Sequence, residues 1–489
     1  MSYHKFAKDA VTMGLAQMIT ALSAIIILPI ITKILGARSY GIWVELSVTI
    51  SIIAPIAILG LPYTLVRFLS AEKDKESIQD GIWSVVTVVF ATVAIISLFL
   101  IVFSEPISHF LGGEKLFVQI LAVIIIFECI NQVFANIFRA FQQIKMYSFY
   151  TIFQTIGNAT LITLTISLGY GLLGAVLSLL IVDTINFLIM ATLVIKRVGI
   201  KIPRFLKIRE HLSFSLPTIM GNVSFWIVQS SDRYLIGFFL GALFVGYYSP
   251  AYTLSGIILF FVAPLSLILL AALSKSYAEN KIREVKNYIK YSIKYFLLLA
   301  IPSSFGLSIL SKQLLTIFST SEIAQNSYYI VPFIVLSMIS FGIYSIVAEI
   351  LSLKKKTHIG GIIWLLAALL NFGLNFIFIP RFGILGAAIT TFLAYTFVGA
   401  LNCYYSYKEL QFEVDWLAIS KIAVASVLMS LFVFWFNPVG FYKTIFAIIL
   451  GASIYLTLIL LFRIFSKKEL DFLNNILKNL VPSLAGKKI

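Results

Sequence analysis

The sequence predicts an all-α integral membrane protein of about fourteen transmembrane helices, built from two parallel copies of a six-helix unit followed by two further helices. Three observations lead there. Hydrophobic residues make up 60% of the 489 and charged residues only 12%, about half the charge of a soluble domain, so water-soluble folds are excluded. Apolar runs of the roughly 20 residues needed to cross a bilayer recur along the whole chain. Finally, Leu35-Gly36-Ala37-x-x-x-Gly41 returns as Leu240-Gly241-Ala242-x-x-x-Gly246, and Gly171-x-x-Gly174-Ala175 returns as Gly383-x-x-Gly386-Ala387. A unit with an even number of spans re-enters the membrane from the same side, so the copies are parallel, and a substrate cavity is expected between halves that rock against each other.

The elements follow in order. The run 10–32 is too long for a signal peptide, contains Pro29 and leads straight into a second span with no Ala-x-Ala cleavage site, so it is read as a retained helix. The run 41–66 opens at Gly41 and closes at Arg67. Runs 81–104, 115–138, 149–168 and 172–195 complete a first lobe, residues 1–195. The basic segment 196–211 is the linker. Runs 212–237, 245–273, 287–310, 327–350, 358–380 and 383–407 form the second lobe, residues 212–407. Runs 416–436 and 441–465, within 408–465, fall outside the repeat. In the tail 466–489, Leu470, Leu473, Leu477 and Leu480 recur at helical spacing among lysines, which predicts an amphipathic segment on the inner leaflet.

The net charge of +16 would point to nucleic acid in a soluble chain. Here the basic residues cluster in alternate loops, at 196–209, 275–294, Lys354 to Lys356 and 463–488. The positive-inside rule then places both termini in the cytoplasm of a multi-pass cell-membrane protein, with no nucleic-acid partner. Cys129 and Cys403 fall inside spans of different halves, so no disulfide framework is expected.

Catalytic signatures are absent: the chain holds no phosphate-binding loop, no zinc-protease helix and no nucleophile elbow. It is read as a transporter rather than an enzyme, with no cofactor and no metal centre. Energy then has to come from a gradient, with H+ or Na+ as the candidate coupling ion. Ionisable residues inside spans are costly and mark function by default. Asp232-Arg233 is the sharpest pair, two adjacent charges expected to face different directions. In this reading Arg233 meets an anionic substrate while Asp232 holds a cation; the alternative is a structural ion pair. Glu45, Glu128 and Asp183 are further ion-coupling candidates. Lys33 and Arg38 flank one end of the first span and Arg67 closes the second. Pro29 and Pro217, in the first helix of each half, remove backbone hydrogen bonds and are candidate hinges. Tyr247-Tyr248-x-x-x-Tyr252 offers aromatic faces for sugar rings, or an interfacial belt.

Several segments carry a family resemblance. Thr32-Lys33-Ile34-Leu35-Gly36-Ala37-Arg38-Ser39-Tyr40-Gly41-Ile42-Trp43, then Leu65-Val66-Arg67-Phe68-Leu69, then Asp232-Arg233-Tyr234-Leu235-Ile236-Gly237-x-x-Leu240-Gly241 with Gly246, Tyr248 and Ser249 resemble the polysaccharide biosynthesis (O-antigen and oligosaccharide) flippases of the multidrug/oligosaccharidyl-lipid/polysaccharide superfamily. The resemblance implies a V of two six-helix lobes, a cationic central cavity, and transfer of a polyprenyl-linked saccharide between leaflets. Residue by residue, Lys33, Arg67, Asp232 and Arg233 fall on charged positions of the family motifs. Membrane lipids, glycosyltransferases and a polymerase are the partners it implies. Two alternatives stand beside it. A drug or cation efflux antiporter of the same fold expects a carboxylate in a lobe's cavity, and the first run offers only Asp9 at its mouth. A membrane scaffold would recruit glycan-assembly enzymes through the basic loops.

Overall fold

The computed structural model describes residues 3–69, 72, 74–465 and 469; the side chains at 3–11, 217, 218, 220–222 and 267 lie outside this description. It is helical almost throughout. The first half comprises α1 (Tyr3–Ala57), α2 (Leu61–Leu69), α3 (Lys75–Val102), α4 (Ser104–Phe110), α5 (Lys115–Ala140), α6 (Ile144–Ser167) and α7 (Gly171–Val198). The second half comprises α8 (Ile208–Leu240), α9 (Ala242–Ser255), a 3-10 segment Gly256–Phe261, α10 (Ala263–Ala278), α11 (Ile282–Ile309), α12 (Ser311–Phe318), α13 (Ser321–Ser327), α14 (Val331–Leu353), α15 (Thr357–Phe382) and α16 (Ile384–Glu409). Helices α17 (Trp416–Phe436) and α18 (Phe441–Leu461) close the chain.

Every apolar run of the sequence lies on helical segments, and the run 245–273 is divided among α9, the 3-10 segment and α10. Among the described residues, eleven helices are long and apolar enough to cross a membrane. The runs 10–32 and 41–66 lie on two helical segments that meet at Gly36 within α1, the second ending at Ala57 and its remainder continuing on α2, and α6 and α8, which carry the polar side chains described below, are not among the eleven. A straight helix over Thr12–Ala57, 46 residues, would be about 69 Å long, twice a hydrocarbon core of about 30 Å. It therefore turns. The turn is at Gly36, whose φ of 81° and ψ of 176° leave the helical region, and not at Pro29. Its counterpart Gly241 repeats the same geometry, φ 91° and ψ 165°, between α8 and α9. Only glycine takes such angles without strain, which is why the repeated Leu-Gly-Ala survives in both copies as a corner. Pro217 lies on α8 at a position outside the described side chains.

Helices in lipid gain little from apolar burial against one another, so close packing and interhelical hydrogen bonds hold them. One apolar core joins α1, α2, α3, α5 and α7, and another joins α9, α10, α11, α14 and α16. Capping is local: Asp74 accepts from the amide of Ser77 at the start of α3 at 2.9 Å, and Asp415 from that of Ala418 at the start of α17 at 3.0 Å, each satisfying a donor the helix leaves over. On the lipid side, Trp435, Phe434 and Tyr442 stand exposed.

The linker is strapped to the first half. Buried Asp80 accepts from the backbone amides of Arg204 and Leu206, Gln79 donates to the carbonyl of Val198, and the Trp83 indole donates to that of Gly199. Beyond the strap, the His211 ring stacks on Phe68 at 5.0 Å and the Arg67 guanidinium lies 4.1 Å from the centre of the Phe214 ring. Of the tail 466–489, only Glu469 is within the described residues; it accepts from the Lys294 ammonium at 3.0 Å and from the Tyr295 hydroxyl at 2.9 Å. The expected amphipathic segment lies outside them.

Candidate translocation path

The two glycine corners bring the halves together at one end of the bundle. Immediately after each corner, Ala37-x-x-x-Gly41 packs against Ala242-x-x-x-Gly246. A β-carbon added at Gly41 would sit on the carbonyl oxygen of Ala242, and one added at Gly246 would sit on that of Ala37. The contact is reciprocal, as a two-fold relation between the copies requires. Around it the Lys33 ammonium donates to the carbonyl of Ile317 in α12 at 2.6 Å, and the Tyr234 hydroxyl bonds Thr49 at 2.7 Å. Glu45 lies beneath the seam, fully buried, with neither carboxylate oxygen partnered, and pressed against Gly237 of α8. This end is sealed.

At the opposite end the halves separate. A cavity of about 1060 Å³ opens between the part of α1 before Gly36 (Leu15, Met18, Ala21) and α10 (Pro264, Ile268, Ala271). Its walls are aliphatic and its mouth carries Lys275, Glu279, Lys281 and Glu284 from the basic loop. Lys281 and Glu279 pair at 2.7 Å and the Ser276 hydroxyl donates to Glu284 at 3.0 Å, and with Lys275 the rim holds two lysines and two glutamates. Apolar walls under a charged rim fit an amphipathic guest, chain inward and head at the rim.

Asp232 and Arg233 do not diverge as the sequence reading expected. Arg233 folds back so that its Nη1 donates to Asp232 Oδ1 at 3.0 Å and to the carbonyl of Gln229 at 2.6 Å, while its guanidinium lies 4.0 Å from the centre of the Tyr252 ring. The Tyr248 hydroxyl donates to the other oxygen of Asp232 at 2.6 Å. Asp232 is fully buried and Arg233 is 8% exposed. Burying a charge is tolerated only when it is paired and hydrogen-bonded, and here each charge has the other. The polar core extends through the Ser231 hydroxyl, which donates to Asn371 at 3.2 Å, to Asn375 and then Thr390. Tyr248 and Tyr252 are thus committed to this cluster and do not offer open faces to a sugar.

The four candidate cations occupy three places. Lys33 and Arg38 are exposed at the sealed end, Arg67 sits on Phe214 at the open end, and Arg233 is inside the second half. They do not converge on one cavity. In the first half the structure does bring Glu128 and Asp183 together, through Gln154. Sequence reasoning missed Gln154, Asp80, Asn371 and Asn375, because a neutral or loop-flanking polar residue gives no signal until the fold shows what it bonds.

Comparisons with known proteins place the chain. The family described as polysaccharide biosynthesis protein matches residues 6–270, and the one described as lipid II flippase MurJ matches residues 241–457. A probable low-salt glycan biosynthesis flippase, Agl15 of Haloferax volcanii, is 24% identical over 403 residues, which are 81% of this chain and 83% of that protein. Among solved structures, the lipid II flippase MurJ in an inward closed conformation superposes with a TM-score of 0.76 at 18% identity, over 94% of this chain and 99% of that one. An inward-facing multidrug transporter of the MATE family superposes with a TM-score of 0.61 at 13% identity, over 86% and 96%. The fold is therefore the two-lobed, V-shaped fold of that superfamily.

Proposed function

The chain belongs to the polysaccharide biosynthesis protein family, and from that premise we propose that it flips a polyprenyl-phosphate- or diphosphate-linked oligosaccharide from the cytoplasmic to the outer leaflet by alternating access. The carrying observation is the cleft between α1 and α10. A saccharide head bearing phosphate cannot cross hydrocarbon unaided, whereas its prenyl tail never needs to leave it. A flippase for such a molecule needs a path that takes in the head while staying open sideways to lipid, with cations where the phosphate waits. The cleft offers apolar walls for the tail and a polar, lysine-bearing rim for the head, and the seam at Gly41 and Gly246 closes the other end. Positive-inside placement of the 275–294 loop puts the cleft on the cytoplasmic side and both termini with it. The efflux alternative is weaker because the family matched over residues 6–270 is that of polysaccharide biosynthesis. H+ or Na+ is proposed as the driving ion, and glycosyltransferases or a polymerase as the neighbours that supply and consume the glycolipid.

The experiment is reconstitution into liposomes with a labelled polyprenyl-diphosphate saccharide, comparing wild type with Ala271→Trp, which narrows the cleft. Transfer above empty vesicles that the tryptophan abolishes is the expected result. No transfer with any native glycolipid overturns the reading.

A further inference from the structure

Some charges inside the bundle are compensated. Asp232 has Arg233, and the buried Lys294 has Glu469. Glu128 on α5 and Asp183 on α7 are different. The Gln154 side-chain nitrogen, on α6 between them, spends both its hydrogens on them, donating to Glu128 Oε2 at 2.8 Å and to Asp183 Oδ1 at 3.0 Å. The two carboxylates are therefore no farther apart than those two bonds laid end to end. Gln132 donates to the other oxygen of Glu128 at 2.8 Å. Among the described residues no lysine or arginine lies within ion-pair distance of either. The titratable groups turned toward them are Tyr150 on α6 and, beyond it, Tyr147.

The surroundings are rich in oxygen. On each helix the neighbours one turn away share the same face: Asn131 follows Glu128, Tyr150 and Asn158 flank Gln154, and Asn186 follows Asp183. Asn131 is fully buried and its amide donates to the backbone carbonyl of Asp183 at 2.9 Å, yet its Oδ1 has no partner. Asn158 Oδ1, also buried, has none either, and the Tyr150 hydroxyl lies against Gln154. Two carboxylates this close, in a membrane interior, do not both stay ionised without a counter-charge. Unpartnered buried acceptors are likewise groups that demand a ligand.

We propose that Glu128 and Asp183, with the side-chain oxygens of Asn131 and Asn158, form a binding site for one monovalent cation, a proton or a sodium ion, and that Gln154 positions the two carboxylates for it. The site lies in the first half alone; the polar core of the second half holds one carboxylate and its own arginine, and is neutral without an added ion. Asp183 is 3% exposed and Glu128 is half-buried, so the cation enters past Glu128. As the coupling ion it rests on the flippase reading, but the test reads binding rather than transport, so either can fail without the other.

The thermal midpoint of the purified full chain in nanodiscs is followed against sodium, with choline holding ionic strength constant, and against pH from about 5.5 to 8.5. A sodium site gives a saturable rise in midpoint whose apparent affinity weakens about tenfold per pH unit on acidification where one proton competes. A proton site gives no sodium response and a pH-dependent midpoint. In either case the isosteric double variant E128Q/D183N loses the response, and Gln154→Leu, which keeps both carboxylates, weakens the apparent affinity at least tenfold. A wild type indifferent to both ions overturns the proposal without any variant. So does the same response in wild type and double variant or, should the double variant not fold, in Gln154→Leu.

Discussion

Adding one methyl group at the seam is the sharpest perturbation of the alternating-access reading. Gly41→Ala places a β-carbon on the carbonyl oxygen of Ala242, a backbone atom that cannot swing aside, so the halves have to part. Overpacking of this kind costs about 1–3 kcal/mol. The cost falls only on the sealed arrangement, because the contact exists only there. Taking about 2 kcal/mol, the ratio of open to sealed rises roughly 30-fold. Ser249 on α9 is 3% exposed, and a cysteine there, in a chain whose Cys129 and Cys403 are replaced, is labelled by a membrane-impermeant maleimide only while the seam is open. The labelling rate should rise roughly 30-fold in Gly41→Ala and by a similar factor in Gly246→Ala. Because both load one contact, the double variant should fall short of the product. An unchanged labelling rate in a normally abundant Gly41→Ala protein would refute the seam as the closed gate.

Three further outcomes are expected. Arg233→Ala strands the buried Asp232 and should cost about 3–5 kcal/mol, seen as lost folded protein on fluorescence size-exclusion, with Asp232→Asn added to Arg233→Gln restoring abundance. Glu45→Gln should keep wild-type abundance, since neither oxygen has a partner to lose, whereas Glu45→Lys should not accumulate. Asp80→Ala removes the acceptor of two backbone amides and should cost about 2–3 kcal/mol, read as faster proteolytic nicking between Lys201 and Lys207; unchanged nicking would show that the strap does not hold the linker.

Hydropathy made the helices legible, to the residue for α17, and the repeated Leu-Gly-Ala marked the duplication without showing that its glycines turn the chain. What the pattern left hidden depends on tertiary convergence. That two helices meet at the single non-helical residue Gly36, rather than across a loop, leaves no mark in the hydropathy pattern. The short helices α4, α12 and α13 are too brief for a periodic signal. Glu128 and Asp183 were legible singly as intramembrane carboxylates, but nothing in the chain ties one to the other, because the connection is an amide on a third helix. Arg233 shows the converse: adjacent charges read as divergent on an ideal helix, whereas a long flexible side chain curls back to its neighbour when no water is available to solvate it.

The strap at Asp80 has a mechanical consequence. A linker bound to the first half is not a slack tether, so the freedom to swing begins beyond it, at the start of α8, where His211 rests on Phe68. Helix α8 has 33 residues and so reaches about 50 Å from that bearing to the corner at Gly241. It acts as the long arm of a lever. A tilt of about 10° at the bearing carries the far tip by about 9 Å on that length, enough to open the seam, while the aromatic stack at the near end slides by less than the width of an atom. Small displacements there are thereby geared up into longer strokes at the opposite face of the membrane.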